Sequence, residues 1–154
     1  MKEKYVKMYM DIAATVAAQS YAQRLKVGSV AVKDNRIISI GYNGTPPNTD
    51  NTCEETYLDI EYIPTESGDM YLKSFKQRTK KEVIHAEMNL IYKLARDGES
   101  GSGADLFITH APCFECAKAI LSVGFKKVWF RNQYRSEEGI QLLKNNGIDV
   151  EKVD

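Results

Sequence analysis

Two short segments restrict what this chain can fold into more than anything else in it: His85-Ala-Glu87 and Pro112-Cys-Phe-Glu-Cys116. Between them they carry one imidazole and two thiols. Brought together, these donors suit tetrahedral zinc with the fourth position left to water. A structural zinc site normally has a fourth protein ligand, and no further histidine or cysteine is an obvious candidate, so the open position points to catalysis. The expected metal ligands are therefore His85, Cys113 and Cys116. Cys53, the third cysteine, stands alone in a polar segment and reads as an inert loop residue. His110 lies two residues before Pro112 and is read equally as a pocket residue or as a polar strand end.

Periodicity supplies the frame that has to hold these groups. Tyr5 to Tyr21 places Met8, Ile12, Ala13 and Val16 at helical spacing. Val27 to Val32 and Ile37 to Tyr42 are β-branched runs joined by the turn residues Lys33-Asp-Asn-Arg36, which predicts a hairpin. Asn43-Gly-Thr-Pro-Pro47 stops the second strand, because prolines have no N–H to donate. Val83 to Arg96 has helical spacing and ends at Asp97-Gly98; beyond it, strands over 104–109, 127–130 and 148–153 alternate with helices over 113–123 and 137–146. The order αββ, insertion over 48–82, αβαβαβ predicts an α/β fold with a mixed sheet covered on both faces. The length of 154 residues suits one domain with a single core. Pro112 fits the first position of a helix, which sets Cys113 and Cys116 in its opening turns; His85 and Glu87 sit early in theirs. The positive ends of both helices favour thiolate.

Charge limits the partners. Lysine plus arginine number 21 and aspartate plus glutamate number 21, so no net field draws the chain to a nucleic acid polymer. A small anion needs only local positive groups. The segment Asn48 to Met70 holds seven acids and no base, and is followed by Lys73, Lys76, Arg78, Lys80 and Lys81, which neutralise it or face a phosphate; two solvated faces of a lid or loop are the favoured reading. The first residues lack the apolar core of a signal peptide, and no apolar run reaches the ~20 residues of a membrane span, so a cytoplasmic protein away from membranes is expected.

The chemistry follows from the donor set. Positions two apart on a helix do not share a face, so Glu87 should reach past the metal to a water molecule. Zinc lowers the pKa of bound water from about 15.7 to about 7, giving hydroxide at neutral pH, and Glu87 takes the released proton.

The pairing H-x-E with P-C-x-x-C is the general signature of zinc deaminases. Beyond it, the chain resembles deoxycytidylate (dCMP) deaminases in Val27-Gly-Ser-Val30, Gly41-Tyr-Asn-Gly44 followed by Thr-Pro-Pro47, His85-Ala-Glu-Met-Asn89 and Cys116-Ala-Lys-Ala119. The resemblance covers nearly the whole chain and weakens over 48–82. It implies a three-layer α/β/α fold with a central five-stranded sheet, and hydrolysis of dCMP to dUMP, which supplies dTMP synthesis. Hydroxide would attack C4 of the ring while Glu87 passes the proton to N3 and then to the departing amine. Asn43 would hold the sugar hydroxyl, Tyr134 would line the substrate site, and the backbone at Ala86, Thr109, His110 and Ala111 would read the pyrimidine edge. Relatives of this kind imply hexamers activated by dCTP with Mg2+ and inhibited by dTTP, with Gly41, Tyr42, Asn43, Gly44 and Thr45 forming the regulatory loop. Lys26, Arg131 and Arg135 are the candidate phosphate groups. Some relatives hold a second zinc with ligands from the insertion; here the insertion offers only Cys53, so one zinc per chain is expected.

Competing readings are a deaminase of another substrate and a silent nucleotide sensor. A tRNA editor should be markedly basic, which this chain is not. Need for a 5′-phosphate separates a nucleotide enzyme from one acting on cytosine or cytidine. Glu87 argues against the sensor, since zinc binding alone does not need that carboxylate.

Overall fold

In the computed structural model, which describes residues 1–154, the chain runs α1 (Glu3–Ala17), β1 (Gly28–Lys33), β2 (Arg36–Tyr42), β3 (Glu54–Ile63), β4 (Met70–Thr79), α2 (Ala86–Asp97), β5 (Asp105–His110), α3 (Phe114–Val123), β6 (Lys127–Asn132), α4 (Glu138–Asn145) and β7 (Asp149–Lys152). Five strands form one mixed sheet in the order β2-β1-β5-β6-β7. β1 runs antiparallel to both β2 and β5, whereas β5, β6 and β7 are parallel. The expected three-layer α/β/α architecture is therefore present.

Strand alternation sorts the core into two halves. Val30, Phe107 and Trp129 lie in one cross-strand row and pack with Val6, Tyr9, Met10 and Ala13 of α1. The residues between them point the other way: Ala31, Leu106, Ile108, Val128 and Phe130 meet Leu90 and Leu94 of α2, Ala117 and Ile120 of α3, and Ile140 and Leu143 of α4. One helix thus covers one face and three cover the other. β5 is buried along nearly its whole length, which explains why Asp105-Leu-Phe-Ile-Thr reads as an unbroken run rather than an alternating one.

Local differences from the sequence reading have local causes. α1 ends at Ala17, not Tyr21, because the Gln19 and Ser20 amides turn back three residues to Val16 and Ala17. α2 starts at Ala86 rather than Val83: Ile84 exchanges both backbone hydrogen bonds with Gly44, at 2.8 and 3.1 Å, and this holds the residues before His85 extended. The insertion is no loop. β3 and β4 make a two-stranded hairpin of ten residues a strand, a sheet of its own. Its acids and bases cancel across the rungs, Glu55 with Arg78 at 2.7 Å and Asp59 with Lys76, while Lys80 reaches Asp50 at 3.6 Å. No helix is long and apolar enough to cross a membrane.

Candidate active site

The three expected metal ligands meet at two helix starts. His85 is the N-cap of α2 and Cys113 the N-cap of α3, with Cys116 in the first turn. Pro112 therefore precedes the cap instead of opening the helix. A cysteine at the cap is free to accept from the helix: Cys113 Sγ takes the Cys116 N–H at 3.5 Å. His85 Nδ1 lies 3.5 Å from Cys113 Sγ and 3.4 Å from Cys116 Sγ, and all three ligand atoms fall within 4.8 Å of one another. Zinc–sulfur and zinc–nitrogen bonds at the tetrahedral angle would separate S and N by about 3.6 Å. The donor set thus fits that ion in type and spacing.

Close approaches hold the two helix starts in place. β2 passes so near α2 that a Cβ on Gly41 would stand 2.2 Å from Ala86 O. Ser29 Oγ of β1, fully buried, lies 2.9 Å from Ala86 O and 3.2 Å from Gly41 O, to which it donates. Asn89 Nδ2 donates to Tyr42 O at 2.9 Å. On the α3 side, a Cβ on Gly139 of α4 would stand 2.2 Å from Pro112 O. Only glycine permits either contact.

The electrostatics match these positions. The hydrogen bond from the Cys116 thiol, and then that from His85, hold Cys113 down to about 4. The same shared proton, together with burial, pushes Cys116 up. The hydrogen bond to Cys113 raises His85. A dication at this point takes the place of the shared protons. Glu87, 4% exposed, is pushed up to about 7 by burial, opposed by its own backbone N–H and by His85. A cation beside it pulls the other way.

These groups open on a cleft of about 280 Å³. His85, Ala86, Glu87, His110, Ala111 and Cys113 form its floor side, with Asn43, Val27, Tyr134 and Arg135 around it. Asn43 Oδ1 accepts from Val27 N at 2.8 Å and Nδ2 donates to Leu25 O at 2.8 Å, which fixes the amide in the wall and leaves one N–H hydrogen free. The N–H of Ala86, in the first turn of α2, has no partner within its own helix.

Several expected site residues lie elsewhere. Lys26 is exposed and absent from the cleft wall, whereas Arg24 lines it. Arg131 points to the α1 side and pairs with Asp11 at 2.7 Å. Thr109 is buried: its Oγ accepts from Gly28 N at 3.1 Å and meets His110 Nδ1 at 3.1 Å. The Ala111 N–H already bonds Asn132 O at 2.8 Å, so Ala111 is wall, not donor. Gly41 is buried under α2, while Tyr42, Gly44 and Thr45 stay half-buried at the surface. Cys53 is a buried free thiol, pushed up by burial, and contributes nothing to the cleft.

The family model for the cytidine and deoxycytidylate deaminase zinc-binding region matches residues 3–132. The chain belongs to this deaminase family. It is 34% identical to the deoxycytidylate deaminase of Enterobacteria phage T4, across 92% of this chain and 86% of that one. The ComE operon protein 2 of Bacillus subtilis (strain 168) is 31% identical, across 95% and 69%. Among solved structures, the dCMP deaminase of cyanophage S-TIM5 in complex with dCMP and dUMP matches with a TM-score of 0.82 and 37% identity over 99% of each chain.

For a deaminase of this family, the residues missed in the sequence are those at the root of the hairpin. Glu54 Oε1 accepts from the Gln23 and Arg24 amides at 3.0 and 3.2 Å, and Arg24 Nη1 donates to Thr79 Oγ at 3.4 Å. Glu54 and Thr79 are register partners and both line the cleft. The only hint in the sequence was that the insertion joins the Asn43 loop to the His85 segment, so its two ends had to return to the site.

Proposed function

We propose that this protein hydrolyses dCMP to dUMP and ammonia. One observation carries the reading: the cleft that holds His85, Cys113 and buried Glu87 is also lined by two guanidinium groups, Arg24 and Arg135. A ring is placed at the metal end, and a 5′-phosphate answers the arginines, whose planar donors suit phosphate oxygens. Its phage relatives named as dCMP deaminases support the same substrate.

Zinc held by His85, Cys113 and Cys116 supplies Lewis-acid activation of the attacking water. Glu87 removes a proton from that water and delivers it to ring N3, which makes C4 electrophilic. As the C4–amine bond breaks, the same carboxylate passes a second proton to the leaving nitrogen, so water and dCMP become dUMP and ammonia. The free hydrogen of Asn43 Nδ2 goes to the sugar hydroxyl, the Ala86 N–H faces the ring edge, and Tyr134 and His110 close the sides. From the family resemblance we carry over a homo-hexamer activated by dCTP with Mg2+ and inhibited by dTTP, acting through Tyr42, Asn43, Gly44 and Thr45. The paired backbone of Gly44 and Ile84, next to His85, links that loop to the metal ligands.

The test is ammonia release from zinc-loaded protein with dCMP, deoxycytidine, CMP and cytosine, each with and without Mg2+-dCTP or dTTP. Turnover of dCMP with kcat/KM above that of deoxycytidine by on the order of 10²-fold, the reach of two charge-assisted contacts, is expected. Equal turnover of deoxycytidine would remove the nucleotide assignment, and no turnover of any substrate would favour a nucleotide sensor.

A further inference from the structure

No helix or strand of the main sheet packs across the β3–β4 hairpin. Its register sorts the side chains onto two faces. Glu55 opposite Arg78, Tyr57 opposite Lys76, Asp59 opposite Ser74 and Glu61 opposite Leu72 make one mixed face, on which Glu55 pairs with Arg78 and Asp59 with Lys76. The other face carries Leu58 opposite Phe75, Ile60 opposite Lys73 and Tyr62 opposite Tyr71. Phe75 is 79% exposed, Tyr71 59%, Ile60 and Tyr62 53% each and Leu58 47%. With aromatic side chains at about 200 Å² and aliphatic ones slightly less, this face presents roughly 550 Å² of apolar surface. A patch of that size marks an interaction surface, and a lone two-stranded hairpin is marginally stable in water.

We propose that this face is closed by the same face of a second copy of this chain, two hairpins packing across a two-fold axis. An isologous contact lets one patch supply both sides. Joining two such faces removes roughly 1,100 Å² from water, just above the ~1,000 Å² that a specific interface needs. Lys73 is the one charge among the six, and its aliphatic stem can lie along the apolar surface with the ammonium at the rim. The root rung Glu54–Thr79 walls the cleft, so pairing of the hairpins also braces the active site.

The experiment is sedimentation of the full zinc-loaded chain at low salt, comparing the natural protein with Phe75→Glu, with Phe75→Lys, and with an equimolar mixture of the two. Phe75 is largely exposed, so both variants should keep the circular dichroism and zinc content of the parent. The natural chain should run as a dimer or larger. Each variant should fall to half that mass or less, and the mixture should recover it, since opposite charges then meet where like charges met. A monomeric natural chain at tens of micromolar, variants of unchanged mass, or a mixture that stays dissociated would each overturn the proposal.

Discussion

Replacing Gly41 with alanine tests whether this residue is there for packing or for a ligand. The new Cβ would stand 2.2 Å from Ala86 O and 2.6 Å from Leu90 N. An ordinary carbon–oxygen contact is about 3.3 Å, so α2 must back away by about 1 Å. The backbone of Gly41 has no positive φ, so the cost is purely steric. α2 carries His85 and Glu87 while α3 carries Cys113 and Cys116, and the present Nδ1–Sγ separations of 3.4 and 3.5 Å leave only tenths of an ångström to spare for zinc. Overpacking of this kind costs about 1–3 kcal/mol, and a 1 Å displacement of reacting groups about 10²-fold in rate. Zinc per chain, measured with a chromogenic chelator after unfolding, should fall below that of the parent. kcat/KM for dCMP should drop by about 10²-fold, and thermal unfolding should occur several degrees lower, at roughly 2–4 °C per kcal/mol. A Gly41→Ala protein with full zinc and full basal turnover that loses only its response to dCTP or dTTP would refute the packing argument and assign Gly41 to an effector site.

Other perturbations have equally definite readouts. Arg24→Ala should raise KM for dCMP by on the order of 10-fold or more while leaving deoxycytidine turnover unchanged, as expected for one lost charge-assisted contact; an equal loss on both substrates would move Arg24 away from phosphate. Glu54→Ala frees the Gln23 and Arg24 amides, so it should shift KM for dCMP the same way with kcat little changed, and Glu54→Gln, which keeps an acceptor oxygen, should restore most of the loss. Removing zinc with a chelator should abolish turnover, and adding zinc back should recover it; activity in metal-free protein would contradict the ligand assignment. Phe107, fully buried and stacked on Trp129 at 5.9 Å, should cost about 3–5 kcal/mol as alanine, seen as a lower denaturant midpoint.

What the sequence made legible was whatever had a period or a chemical signature. The β-branched runs at 27–32 and 37–42, the helical spacing of Met88, Ile91, Leu94 and Ala95, and the donors at 85, 113 and 116 each report a local rule. The hairpin had a period too, since Leu58-Asp-Ile-Glu-Tyr62 alternates apolar and charged as a strand does, but the block of acids followed by a block of bases reads as solvated loop until the two are paired across the rungs. The choice of Lys26 over Arg24 failed for a different reason. Which of two neighbouring bases faces a cleft depends on contacts from residues 30 and 55 positions away, the Glu54 and Thr79 side chains, and no local pattern encodes those. Pro112 at the first helical position would put the cap at Ala111, whereas the cap is Cys113, a shift of two residues that spacing alone does not resolve.

The most direct measurement is ammonia released from dCMP by the natural protein and by Glu87→Gln, each with its zinc content determined on the same sample. Glutamine keeps the size of the buried side chain and removes its capacity to carry a proton. The expected result is equal zinc in both proteins, turnover of dCMP by the natural chain, and near-complete loss of turnover in the variant. Comparable ammonia release from zinc-loaded Glu87→Gln would contradict a mechanism in which this carboxylate moves the protons.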